Sequence, residues 1–353
     1  MAGRTGPQKA EEPVNYDIRD IDDQQTWDEF VTAHQEANFL HAWQWGEFHA
    51  SRGRAIVRRG AFDGTRLVGV YTGHVEPAKR GQHLQIVGGP IVDWDNRPLL
   101  KAIVADIRAQ AVSHDCIYAR IRPQLEKSET SLALMKSLGL RPAPMYLSVE
   151  MAGVLDLHKS EEQILEGMRQ RLRRALRKAA KLNIAVETST DPADIHQFYQ
   201  IQLQTAERHQ FVAFSEEFLS KQFAAFAADN NAVLYTAKHD GEILAQNFMI
   251  FYGNEASYHY GVSTKLGTKL SGAPLLHMHA MRDARERGIK RYNFWGIVDE
   301  HDTNHRFYGV SVFKRGFGVD ELRYTPAHDL VIKRFAYLKN FVIETLRRKS
   351  RNV

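Results

Sequence analysis

The stretch that decides the fold is Val233 to Val262, VLYTAKHDGEILAQNFMIFYGNEASYHYGV. Its β-branched and aromatic residues fall into three runs, Val233 to Lys238, Ile243 to Tyr252 and Ala256 to Val262. Asp240-Gly241 separates the first two, and Asp-Gly between β-rich runs is a strong hairpin signal, because the favoured two-residue turn needs positive φ at its central residues. An amphipathic pattern then predicts a helix over Ala273 to Arg287, leading into a short apolar strand, Tyr292 to Trp295. The order is hairpin, helix, strand.

The first half of the chain repeats that order. Arg54 to Phe62 and Leu67 to Val75 read as strands joined by Asp63-Gly64, Leu99 to Ser113 as a helix, and Ile117 to Ile121 as the strand that follows. Four elements in one order at similar spacing argue for duplication rather than coincidence. The repeated unit, a mixed sheet with helices on its faces, is similar to a GNAT-type acyltransferase domain, so the expected fold class is α/β with two tandem GNAT-like domains.

Length agrees with this, since 353 residues exceed the size at which one hydrophobic core stops growing. A content of 43% hydrophobic and 25% charged residues is that of a folded globular chain and excludes wholesale disorder. No run approaches the length of a membrane span, and the polar first 14 residues carry no secretory pattern, which predicts a cytoplasmic protein. The lone Cys116 excludes a disulfide framework or a thiolate metal cluster. None of the 16 histidines forms an H-E-x-x-H motif, and His277 and His279 would point to opposite sides of a helix, so neither a metal nor a cofactor is expected.

The net charge of +5 matters only where it is clustered, and it is clustered between the halves. Lys159 to Leu182 reads as one helix in which Arg169, Arg171, Arg173, Arg174, Arg177, Lys178 and Lys181 are basic. Arg174, Arg177, Lys178 and Lys181 share a face opposite the apolar stripe of Leu165, Met168, Leu172 and Leu176. A solvated surface is the ordinary reading of a charge run. Here no acid occurs between Glu166 and Glu187, and so unbalanced a stripe favours a polyanion such as a phosphate backbone.

Several segments, in order, resemble one family. Phe39-Leu-His-Ala-Trp43-Gln-Trp45-Gly46-Glu47-Phe48 resembles the W-G-x-F motif of the FemABX aminoacyltransferases, which build peptidoglycan interpeptide bridges. Arg171 to Lys181 is similar to that family's R-x-x-x-R-K-A-x-K helix. Tyr258-His-Tyr260-Gly261, Pro274-Leu-Leu, Tyr292-Asn-Phe-Trp295-Gly296 and Phe313-Lys314-Arg-Gly-Phe317-Gly318 resemble its second-half motifs, so the likeness runs over roughly residues 25 to 335 in order and spacing.

The resemblance implies that an aminoacyl-tRNA ester donates its amino acid to a stem-peptide amine of a peptidoglycan precursor, nucleotide-linked or lipid-linked. It implies a monomer with GNAT-like domains over 15–155 and 156–335, the second opening on the basic helix of 159–182, a C-terminal helix over 336–353, and contact with the inner face of the membrane. Lys314 is then the catalytic cation, His49, Arg208, Tyr258 and Tyr260 bind substrate, and Arg171, Arg174, Arg177, Lys178 and Lys181 bind tRNA. Period two puts Tyr258 and Tyr260 on one face of a strand, and Lys314 is expected on a strand between Phe313 and Phe317. The chain departs from the family pattern with His49 in place of a lysine, Arg122-Pro123 in place of Asp-Pro, and no basic residue in Val212-Ala-Phe-Ser215. Where a CoA-dependent GNAT domain has its pyrophosphate cradle stands Lys269-Leu-Ser-Gly272-Ala-Pro274, with one glycine and a proline that lacks an N–H. Two other readings stay open at this point: an acyl-CoA-dependent relative acting on an envelope polysaccharide or lipid, and a non-catalytic RNA-binding module.

Overall fold

A computed structural model describes residues 16–209 and 212–351. Among these residues fifteen strands form two sheets: β1 (Asp17–Asp20), β2 (Ile56–Asp63), β3 (Arg66–Glu76), β4 (His83–Gly88), β5 (Ile91–Val92), β6 (Tyr118–Pro123), β7 (Arg141–Pro142), β8 (Met151–Asp156), β9 (Ala185–Ser189), β10 (Ala232–His239), β11 (Glu242–Tyr252), β12 (Glu255–Ser263), β13 (Arg291–Gly296), β14 (Asp320–Arg323) and β15 (His328–Val331). The first sheet runs β1-β2-β3-β4-β6-β15-β7, with β5 on β3, and the second runs β14-β8-β13-β12-β11-β10-β9.

Both Asp-Gly hairpins form. In the second, Asp240 (φ 49°) and Gly241 (φ 81°) adopt the two left-handed conformations that the tight turn demands. In each half the strand after the hairpin continues through a helix, Arg97–Ser113 or Gly272–Glu286, into a parallel neighbour, giving the pairs β4–β6 and β12–β13. The duplicated order is therefore a duplicated topology.

The expected boundary at 155/156 is corrected by the strand order. β8 lies in the second sheet, antiparallel to both β13 and β14, while β15 returns to the first, antiparallel to both β6 and β7. In each half a helix, Glu129–Ser137 or Tyr308–Arg315, precedes a short strand, and the final strand then crosses to the other sheet. The halves thus exchange their last strands. Each exchanged strand is interior to its sheet, so neither sheet is complete without the other half. On β15, Asp329 is fully buried and receives Nε and Nη2 of Arg120 on β6 at 2.7 and 2.9 Å.

The halves also share a core. Trp27, Val31, Phe39 and Leu40 from the first pack with Phe198, Leu219, Phe223, Phe226, Phe248 and Ile250 from the second. Trp43 to Ser51 forms a helix, and Phe48 meets Phe218 of the helix Glu216–Ala227 edge-on, so this motif binds the two halves together rather than closing the first. The basic segment is two helices, Glu161–Gly167 and Gln170–Ala180, not one. The break has a steric cause: Arg169 N–H donates to the Gly316 carbonyl, and Gly318 (φ 76°) lies directly against the backbone of Gly167. The C-terminal helix begins at Arg334.

Candidate active site

The two sheets differ where their parallel strands meet. In the first, β4 and β6 pair over five successive positions, from Leu84↔Ala119 to Gly88↔Pro123. In the second, β12 and β13 pair only at Glu255↔Arg291, Ala256↔Tyr292 and Ser257↔Asn293, and then part. Two irregularities part them. His259 is an extra residue on β12, since Phe248 faces Tyr260 and Met249 faces Tyr258. On β13 the register shifts between Asn293 and Gly296, with Trp295 held at φ 64°. A side chain that bulky in the left-handed region is strained and persists only where its surroundings fix it. Asn293 supplies the fixation: its Oδ1 accepts from Trp295 N–H at 2.7 Å, and its Nδ2 donates to buried Glu255 at 3.0 Å.

Lys314 occupies the mouth of this divergence. It lies on the helix Tyr308–Arg315, which corrects the expected strand, and only 7% of its surface is exposed. Its Nζ donates to the Gly296 carbonyl on β13 at 2.7 Å and stands 5.6 Å from the Tyr258 ring on β12, bridging the strands where they separate. Burial lowers its pKa to about 7, so near neutral pH the amine is poised between charge states. His277 beside it is held neutral, its pKa lowered to about 3 by burial and then by the Lys314 charge. Among the described residues the Gly296 carbonyl is the one hydrogen-bond acceptor of Nζ, so the protonated amine keeps two further hydrogens without an acceptor there.

Tyr258 and Tyr260 do not share a face. The bulge at His259 breaks the alternation, so Tyr258 packs on His277 and the helix 272–286 side, whereas Tyr260 packs on Phe214 and Phe248 on the opposite side. Phe39, from the first half, closes that opposite side, with ring centroids 4.7 Å from His259 and 5.0 Å from Trp295. His49 is not beside Lys314. It is buried and stacked on His74 at 3.5 Å, and burial together with the neighbouring His74 lowers its pKa to about 2, so it offers no charge to a diphosphate. Arg208 is near the end of the helix Ile195–His209, and its side chain lies outside the described residues.

The basic residues do present one face. Arg171, Arg174, Arg177, Lys178 and Lys181 are exposed, while Met168 and Leu172 are buried and Leu176 is packed against the same core. Among the described residues no ion pair neutralises these five. Lys178 Nζ reaches the Lys269 carbonyl at 3.5 Å, which sets the ridge beside Lys265, Lys269 and the start of the helix 272–286. No acid occurs between Glu255 and Asp283, so that neighbouring stretch extends the positive surface. The single glycine there has a packing explanation: a Cβ on Gly272 would stand 2.7 Å from Leu244 Cβ on β11. Ser271, at φ 66°, gives that helix no side-chain cap, and Pro274 contributes no N–H.

The sequence motifs single out Lys314 and Tyr258 but give no role to Asn293, Glu255 or His259. The Asn-Phe-Trp-Gly stretch carried the signal: a polar residue two positions before an aromatic at a strand end marks a side-chain-supported turn.

Two mixed sheets, each with one parallel pair, closed in the first and splayed around a buried lysine in the second, define a tandem GNAT-like protein with its candidate site in the second half. Sequence comparisons agree. The FemAB family matches residues 23–134, and the acetyltransferase (GNAT) domain matches residues 166–310. FemB of Staphylococcus epidermidis is 35% identical over 82 residues, a match spanning 23% of this chain and only 20% of FemB. The lipid II:glycine glycyltransferase of Staphylococcus aureus is 21% identical over 374 residues, covering 83% of this chain and 88% of that protein. The crystal structure of FemX superposes with a TM-score of 0.83 at 20% identity, over 93% of this chain and all of the other. The chain is thus similar to the FemAB family in its first half and to the GNAT acetyltransferase domain in its second.

Proposed function

We propose that this protein is an aminoacyltransferase that moves an amino acid from aminoacyl-tRNA to the stem-peptide amine of a peptidoglycan precursor. The carrying observation is Lys314 Nζ, buried at the divergence of β12 and β13 with two hydrogens uncommitted. In the reaction the acceptor nitrogen forms a bond to the ester carbonyl carbon, the bond from that carbon to the ribose oxygen breaks, and a proton passes from the nitrogen to the departing oxygen. Protonated Nζ offers its positive charge to the oxyanion that develops in between. The ester is already activated, so positioning and one well-placed cation suffice.

The exposed ridge from Arg171 to Lys181 supports a nucleic-acid donor, because five unneutralised cations in a row suit a phosphate backbone and exceed what one pyrophosphate needs. The lipid II named for the Staphylococcus aureus relative supports a lipid-linked precursor as acceptor. Incubating the protein with separately charged tRNAs and a panel of nucleotide-linked and lipid-linked precursors, read by mass spectrometry, tests the proposal. One precursor should gain the mass of one amino acid residue, and acetyl-CoA in place of tRNA should give no product. Transfer from the CoA ester alone would overturn it.

A further inference from the structure

The C-terminal helix Arg334–Arg351 carries an apolar stripe on its exposed side. Three side chains with polar groups face inward: Tyr337 is buried and donates to Asp329 at 2.9 Å, Asn340 accepts from Arg80 at 2.7 Å, and Glu344 accepts from Arg120 at 2.8 Å. Four large apolar residues face outward, while Ala336 and Phe341 pack against Ile117, Tyr118 and Tyr337. Phe335 is 94% exposed, Leu338 58%, Val342 50% and Leu346 62%. At the angular step of an α-helix these four fall within an arc of about 80°. Exposed Arg334 and Lys339 flank that arc on its two sides, and residues 334–351 carry six Lys and Arg against the single acid Glu344.

An exposed stripe of four large apolar side chains on one helix is not scattered surface hydrophobicity. Nor is its orientation an accident of loose packing, because the opposite face is tied down by the Arg120, Asp329 and Glu344 ion pairs. Apolar residues bordered by cations fit one environment, the boundary between anionic headgroups and acyl chains, where the apolar side chains enter the hydrocarbon edge and the cations meet phosphates. We propose that this helix docks the protein on an anionic lipid surface, with Phe335, Leu338, Val342 and Leu346 inserted and Arg334 and Lys339 at headgroup level. This surface is separate from Lys314 and from the basic ridge of 171–181, and it goes beyond the reaction proposed above. No helix among the described residues is long and apolar enough to cross a membrane, so the association is parallel to the surface.

The test is co-sedimentation of the full chain with phosphatidylglycerol-containing vesicles and with pure phosphatidylcholine vesicles, at low and high salt. The wild type should pellet with the anionic vesicles and release partly at high salt. Replacing all four apolar residues by serine should lower vesicle affinity by roughly a hundredfold or more, since their insertion supplies most of the binding. Arg334→Glu with Lys339→Glu should lower it by roughly tenfold and remove the preference for anionic lipid. Thermal melts check that the variants fold, and Leu338→Glu alone serves where the fourfold variant does not. Transfer to a water-soluble precursor should be unchanged in every variant, which separates failure of docking from failure of the transfer chemistry. Wild-type protein left in the supernatant with anionic vesicles would overturn the proposal. So would a wild-type dimer in light scattering that the serine variant dissolves, because the stripe would then belong to a second copy of the chain.

Discussion

Lys314 carries two consequences that separate its chemistry from its packing. Truncation to alanine removes the cation placed at the mouth of the β12–β13 divergence, so turnover should fall by about a hundredfold or more, the scale of a lost oxyanion donor. Stability should move the other way at low pH. Below pH 7 both folded and unfolded chains hold the charged amine, so the whole cost of burying it is present. Between about 7 and the ordinary 10.5 only the unfolded chain is protonated, the folded state gains with rising pH, and above 10.5 the cost is gone. At about 1.4 kcal/mol per pKa unit the full effect is of order 5 kcal/mol, reduced by about 1–2 kcal/mol for the lost bond to Gly296.

Lys314→Met, which keeps the stem and drops the charge, should therefore be more stable than wild type in denaturant titrations at pH 6 and lose that advantage toward pH 10. Lys314→Arg keeps the charge but asks a planar fork to fit where a compact ammonium sits, and it should lose most of the activity. Because the protonated amine is the proposed active form, single-turnover transfer should also show a limb falling above about pH 7. A folded alanine variant within about threefold of wild type would remove Lys314 from the mechanism, since the loss expected of a catalytic cation is far larger. A limb rising through pH 7 would make the neutral amine the active form and recast Lys314 as a base.

Three further outcomes follow from the fold. Charge reversal at Arg174, Arg177 and Lys178 should weaken tRNA binding and flatten the slope of log affinity against log salt by up to about 3, one unit per lost phosphate contact; an unchanged salt series would return the ridge to a solvated surface. Asn293→Ala leaves Trp295 N–H and Glu255 short of a partner, so it should destabilise the chain by about 2–3 kcal/mol and lower transfer by relaxing the splay; a melt and a turnover equal to wild type would sink that role. Residues 16–157 expressed alone lack β15, and residues 158–351 lack β8. Neither fragment should give a cooperative melt, whereas the two mixed together should, and a cooperative transition in either fragment alone would refute the exchange as a folding requirement.

The features legible in the sequence were local ones. The Asp-Gly hairpins, the helices before β6 and β13, and the outward face of Arg174, Arg177, Lys178 and Lys181 all follow from short windows in which turn chemistry and period decide. The exchange of β8 and β15 leaves no such trace, because an interior strand looks the same whichever sheet receives it, and only the long-range pairing of β8 with β13 and of β15 with β6 settles the matter. The misreadings at the site share one cause. Period two carried Tyr258 and Tyr260 to one face because a bulge of one residue, His259, is invisible to a pattern that assumes none. Phe313-Lys314-Arg315-Gly316-Phe317 was too short to tell a strand from a helical turn, yet its spacing held the answer: Phe313 and Phe317 both pack on His277, as residues i and i+4 do, and Lys314 is turned away from that pair toward Gly296. The motif's final glycine completes the logic. Gly318 must be left-handed and without a Cβ to lie against Gly167, and that same crossing breaks the basic segment into two helices. One short motif thus sets the buried lysine at the splay and seats the cationic ridge next to it, so the residues proposed to bind phosphate and the residue proposed to meet the carbonyl belong to a single construction.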